Sequence, residues 1–129
     1  MSGKVALDTS IVVPYLKRDP VILARYRQAD EVLIPFIVIG ELFFGAYNSA
    51  RASENLERVE SFCRDNTIMS YSNEIAREYG KIKAELKVKG QPIPENDIWI
   101  GAVARFYNIS LVTRDDHFSN ISNLSILKW

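Results

Sequence analysis

Val5-Ala6-Leu7-Asp8-Thr9-Ser10-Ile11-Val12 decides how this chain is read. Its first three residues form an apolar run too short for a helix, while Asp8, Thr9 and Ser10 are residue types that start one. An apolar stretch follows. The segment therefore reads as a buried strand running straight into a helix, with a carboxylate at the junction. The same order recurs downstream. Pro20 opens a second helix with Ile22, Tyr26 and Ala29 on one side, and Val32-Leu33-Ile34 is a strand ended by Pro35. Phe36 to Asn48 reads as a buried helix. Beyond Ser53, the expected cap, Leu56, Val59, Phe62 and Cys63 recur at helical spacing and lead to the strand Thr67-Ile68-Met69. A long amphipathic helix carries Ile75, Tyr79, Ile82 and Leu86 between a cap at Asn73 and a stop at Gly90. The rigid connector Gln91-Pro92-Ile93-Pro94 precedes a helix from Glu95 to Tyr107. Leu111-Val112-Thr113 is the fourth strand and Ser125-Ile126-Leu127 the candidate for a fifth.

Short apolar strands that alternate with helices, without in/out alternation, predict an α/β fold. Its central sheet should be short, mostly parallel, of four to five strands, and flanked by helices on both faces. No repeat, linker or low-complexity segment divides residues 1–129, so one domain is expected. A chain of 129 residues, 47% of them hydrophobic, can bury a core without a disulfide or structural metal. The lone Cys63 agrees with a reducing cytoplasm. Met1-Ser2-Gly3-Lys4 runs into the first strand without the apolar core of a leader. The longest apolar run, Val32 to Tyr47, is broken by Pro35, Gly40, Glu41 and Gly45, so no membrane span is expected. Sixteen basic residues against sixteen acidic ones weigh against holding nucleic acid by bulk charge.

Most acids fit a bland description: Glu54, Glu57, Glu60, Glu74, Glu78 and Glu85 lie on helices rich in Lys and Arg and read as solvated surface. Four do not fit it. Asp8 ends the first buried strand, where helix capping is its ordinary alternative. Glu41 has Ile37, Val38, Phe44 and Gly45 as helical neighbours, so it calls for a partner, a raised pKa or a metal. Asp97 shares a stripe with Ile100, Gly101 and Ala104, although its first-turn position also suits the helix dipole. Asp115 follows the fourth strand by two residues, where a turn residue is the plainer reading. In a parallel α/β sheet these positions meet at the strands' carboxyl rim. Two carboxylates about 4 Å apart repel by roughly 4 kcal/mol at an effective dielectric of 20, so the cluster demands positive charge. Oxygen ligands without Cys or His select Mg²⁺ or Mn²⁺, which is the chemistry of phosphodiester cleavage.

The chain resembles the PIN-domain family, and within it the VapC-like toxins of toxin-antitoxin pairs and the FitB-like proteins. The segments carrying the resemblance are Val5 to Ser10, Ile39-Gly40-Glu41-Leu42, Asn96-Asp97-Ile98-Trp99-Ile100-Gly101-Ala102 and Leu111-Val112-Thr113-Arg114-Asp115-Asp116-His117-Phe118. Carried over by position, the family's acidic quartet falls on Asp8, Glu41, Asp97 and Asp115. Thr9, Ser10 and Thr113 match its supporting hydroxyl residues, and Asp116 competes with Asp115 for the fourth place. Gly101 stands where the family often has Ala, at an expected tight helix-to-sheet contact. The resemblance implies a Mg²⁺- or Mn²⁺-dependent endoribonuclease of the cytoplasm that halts translation by cutting tRNA, rRNA or mRNA. It also implies a VapB-like antitoxin that inserts a basic side chain among the acids, DNA contact only through that complex, and a homodimer. The helix around Phe43, Phe44 and Tyr47 is a candidate for the dimer surface. The alternative is a FitB-like module that serves a DNA-binding antitoxin in autoregulation with little cleavage. A receiver or dehalogenase-type phosphotransfer domain fits worse, because Leu7-Asp8-Thr9 lacks the second Asp and Thr113 precedes Arg114 rather than a Lys.

Elsewhere, His117 reads as a surface or packing residue rather than a catalyst, and Arg114 as either a phosphate contact or an Asp partner. Lys81, Lys83, Lys87 and Lys89 read as a solvated face, with an RNA track as the alternative. Trp99, Phe106 and Tyr107 read as core. Setting the four acids aside leaves the rest of the chain about four units positive, a modestly basic body around an acidic pocket.

Overall fold

Val5, Ala6 and Leu7 are buried on both faces of the sheet, and that is why β1 (Lys4–Leu7) lies at its centre. In this computed structural model, which describes residues 3–129, β1 pairs in parallel with β2 (Glu31–Pro35) and with β4 (Ser110–Val112). Ala6 is flanked by Leu33 on one side and Leu111 on the other. Met1 and Ser2, where the sequence was read for a leader, lie outside the described residues. β3 (Thr67–Met69) and β5 (Ile126–Leu127) complete a parallel sheet in the order β3-β2-β1-β4-β5. The chain winds outward from β1 in one direction as far as β3, then returns to the other side of β1 to build β4 and β5. The strand order therefore reverses between β1 and β4, where a crevice opens at the carboxyl ends.

Among the described residues, six α-helices flank the sheet: α1 (Thr9–Leu16), α2 (Pro20–Gln28), α3 (Phe36–Tyr47), α4 (Ala52–Asp65), α5 (Asn73–Lys89) and α6 (Glu95–Tyr107). α3 packs on α4 and α5 on α6. Leu7, Ile11, Ile34, Ile75, Ile82, Ile100, Leu111 and Phe118 form the fully buried centre. No helix among the described residues is long and apolar enough to cross a membrane.

The ends of elements depart from expectation for local reasons. Ser72, not Asn73, caps α5, its hydroxyl accepting from the Ile75 amide at 3.2 Å; Asn73 is the first helical residue. Ser53 lies inside the first turn of α4, whose cap position is Arg51. Gly90 ends α5 as expected, with φ of 67°. Pro35 is the last residue of β2, opposite Met69, where a missing amide proton costs no further pairing. Thr113 lies just past β4, and a 3₁₀ turn over Asp116–Asn120 follows that no periodicity announces. α3 is not buried throughout: Val38, Leu42 and Ala46 face the core, while Phe36, Phe44 and Tyr47 face outward. The close contact at Gly101 is with Ile121, not the sheet. A Cβ there would come within 2.6 Å of Ile121 Cδ1.

Candidate active site

Asp8 stands at the end of β1 in extended backbone geometry, yet its side chain makes no capping bond to α1. The carboxylate turns into the crevice and is only 4% exposed. Its Oδ2 accepts from Ser10 Oγ at 2.8 Å and from Thr113 Oγ1 at 2.7 Å, so hydroxyls from both sides of the β1/β4 junction hold it. Each hydroxyl is also fixed from behind, because Ser10 Oγ accepts from the Arg114 amide and Thr113 Oγ1 from the Asp115 amide. With their protons given to Asp8, the two hydroxyls have one orientation each.

Asp97 enters from the first turn of α6 and is 8% exposed. Burial raises its pKa to about 6; the hydrogen bond with His117 opposes the rise, and the charges of Asp115 and Asp8 add to it. Asp115 caps the 3₁₀ turn, accepting from the His117 amide at 2.9 Å. That turn carries the His117 ring to the edge of the site: His117 is a surface residue, as the sequence reads, but its ring faces the acids rather than solvent alone. His117 Nδ1 lies 3.0 Å from Asp97 Oδ2 and 3.0 Å from Asp115 Oδ1. The hydrogen bond to Asp97, assisted by the Asp115 charge, raises the imidazole pKa. Asp116 turns the other way, fully exposed, with its carboxylate 3.7 Å from Lys128. Of the two adjacent acids, Asp115 is the one at the crevice.

Glu41 borders this group rather than joining it. Its Oε1 accepts from Thr9 Oγ1 at 2.5 Å and its Oε2 from Asn96 Nδ2 at 3.4 Å. It is half-buried beside a groove lined by Phe36, Ile37, Gly40, Phe44 and Asn96. The expected demand for a buried partner is thus met by two neutral donors at the groove's edge, because the outward face of α3 is open. Among the described residues, no lysine or arginine lies within salt-bridge distance of Asp8, Glu41, Asp97 or Asp115.

Asp97, Asp115 and His117 each offer a ligand atom, all within 4.8 Å of one another. Two carboxylates, a neighbouring third in Asp8 and an imidazole, with no lysine or arginine among them, form a donor set suited to a divalent cation. The destabilised anion at Asp97 shows the same need for positive charge.

Other charged and aromatic residues serve the frame. Arg105 on α6 reaches Glu78 and Glu85 on α5 and the Ser122 carbonyl, so those two acids are structural rather than simply solvated. Lys83 pairs with Glu95, and Lys89 donates to Ser122 Oγ at 2.6 Å; half of the lysine face is thereby engaged in holding α5 to its neighbours. Arg114 Nε donates to the Trp129 carbonyl. Trp99 stacks on Tyr79 with centroids 4.0 Å apart, half-buried, whereas Phe106 and Tyr107 are exposed and pack edge-to-face on each other instead of entering the core.

The PIN domain family matches residues 5–124. Ribonuclease VapC2 of Haemophilus influenzae is 37% identical over 129 residues, covering 98% of both chains. The tRNA(fMet)-specific endonuclease VapC of Salmonella typhimurium is 30% identical over 129 residues, again covering 98% of both. The structure of DNA-bound VapBC from Salmonella typhimurium superposes with a TM-score of 0.93 at 30% identity, covering 100% of this chain and 99% of that one.

Proposed function

Since the chain belongs to the PIN-domain family, among the VapC ribonucleases, we propose that it is the toxin of a VapBC-like pair, a Mg²⁺- or Mn²⁺-dependent endoribonuclease whose cleavage of RNA arrests translation. The observation that carries this reading is the convergence of Asp97, Asp115 and His117 beside Asp8, with no lysine or arginine among the described residues within salt-bridge distance of these acids. The bound ion would supply Lewis-acid stabilisation of the phosphoryl oxygens and a water of lowered pKa. Asp8, Asp97 and Asp115 are the acids that would hold it, with Glu41 at the rim. Ser10 and Thr113 fix the Asp8 carboxylate, and Thr9 fixes Glu41. Asp97, with a pKa near 6, would have to be ionised to hold the cation, so ion binding should weaken as pH falls through 6.

A structured RNA such as a tRNA suits the similarity to the tRNA(fMet)-specific endonuclease. The same unneutralised crevice suits an antitoxin that inserts an arginine or lysine, and the similarity to DNA-bound VapBC suits DNA contact through that complex. In this reading the protein acts in the cytoplasm. The outward rings of Phe44 and Tyr47 suit pairing with a second copy.

The test uses chain freed of its antitoxin. It should cut structured RNA with Mg²⁺ or Mn²⁺ and not with chelator, and Asp8→Ala or Asp97→Ala should abolish both cleavage and growth arrest. Arrest that survives Asp97→Ala unchanged would overturn the metal-nuclease mechanism. RNA left intact by the wild-type chain would leave only the partner role of a FitB-like module.

A further inference from the structure

We propose that His117 is a nitrogen ligand of the divalent ion, completing a set with Asp97 and Asp115 and moving the site's preference from Mg²⁺ toward Mn²⁺. The inference rests on the metal reading above and adds a ligand that the acidic pattern does not contain.

The geometry is set by the 3₁₀ turn. Asp115 caps it, the His117 amide donates to that same carboxylate, and Phe118 next along is fully buried, which anchors the turn against the core. The imidazole is half exposed and could be solvated, yet it lies back over the acids. Its Nδ1 meets two carboxylate oxygens at the same distance, 3.0 Å. A single ring N–H facing both shares its proton between two competing acceptors, whereas with a cation among the three atoms the Nδ1 lone pair and both carboxylates all become donors to it. The spacing suits this. Adjacent ligands around an octahedral ion with bonds of about 2.1 Å are about 3.0 Å apart.

Donor chemistry then sets the preference. Mg²⁺ favours oxygen and retains its waters, whereas a first-row transition ion gains more from a nitrogen donor, so an imidazole favours Mn²⁺ relative to Mg²⁺. A site of oxygens alone would discriminate less between the two.

The experiment is titration of the chain with Mn²⁺ and, separately, Mg²⁺ by calorimetry, together with pulsed electron paramagnetic resonance of bound Mn²⁺. The wild type, His117→Ala and His117→Gln are compared, with circular dichroism to establish that each variant is folded. The wild type should show a directly coordinated ¹⁴N coupling that both variants lose. Mn²⁺ affinity should fall about tenfold in the variants and Mg²⁺ affinity by less than about threefold. Mn²⁺ bound without ¹⁴N coupling, a coupling that persists in His117→Ala, or equal weakening of both ions overturns the assignment of His117 while leaving the acids as the metal site. Failure of the wild type to bind Mn²⁺ at all overturns both.

Discussion

Between about pH 4 and 6, Asp97 holds a proton in the folded chain that an ordinary aspartate releases. Its pKa stands at about 6 against 3.8, chiefly through burial. Between those values the folded state binds more protons than the unfolded state, so stability falls as pH rises through this window and the loss is complete above pH 6. Asp97→Asn should therefore stabilise the metal-free chain at pH 7.5 by about 1 kcal/mol, a figure reduced for solvent screening at the crevice mouth, and by little at pH 4.5. Urea unfolding at the two pH values measures the difference; an equal effect at both would refute the burial argument. Gly101 poses a steric question at the same scale. Replacing it with Ala gains about 1 kcal/mol of helix propensity but drives a methyl into Ile121 Cδ1. Gly101→Ala alone should lower Tm, and in an Ile121→Val background, where Cδ1 is gone, it should be neutral or stabilising. Equal effects in the two backgrounds would remove Ile121 as the reason for glycine.

The elements themselves were legible in the sequence, because apolar runs of three to five residues alternating with 3.6-residue periodicity leave few other folds. What periodicity could not convey is which element meets which. Glu78 and Glu85 sit among Lys and Arg on their own helix and read as solvated; Arg105, on α6, is the partner that makes them structural. Gly101 read as a sheet contact because its partner, Ile121, is twenty residues on, in a segment without a pattern. The candidate site divides in the same way. Asp8, Glu41 and Asp97 interrupt apolar stretches and so announced themselves, whereas His117 lies in a polar turn, and only the 3₁₀ fold of Asp116–Asn120 brings it to Asp97. The Arg105 clamp carries its own prediction. Arg105→Ala strands Glu78 near the α5/α6 seam and should cost about 2 kcal/mol, more than Glu85→Ala, whose carboxylate is more exposed. Denaturant midpoints for the two variants decide it; equal losses would mean that Arg105 matters only by its packing.

At the scale of the whole molecule, the reversal of strand order between β1 and β4 sends one set of groups into a crevice, and α3 turns a different set outward beside it. Phe36, Gly40, Phe44 and Tyr47 recur at i, i+4, i+8 and i+11, opposite the buried stripe of Val38, Leu42 and Ala46. Phe44 and Tyr47 are each 70% exposed, and a Cβ at Gly40 would meet nothing within 4 Å. An exposed aromatic stripe with a flat place in it is costly in water, and under the proposed pairing a second copy would cover it by symmetry. In a two-fold pair Phe44 counts twice. At about 1.5–3 kcal/mol for each ring buried, Phe44→Asp should weaken self-association by at least a hundredfold. The ring lies outside the core, so Tm measured well below the wild-type dissociation constant should be unchanged. Sedimentation equilibrium at about 10 µM should then give a dimer for the wild type and a monomer for Phe44→Asp. A monomeric wild type, or a variant that remains dimeric, would detach this face of α3 from self-association and leave it free for the antitoxin alone.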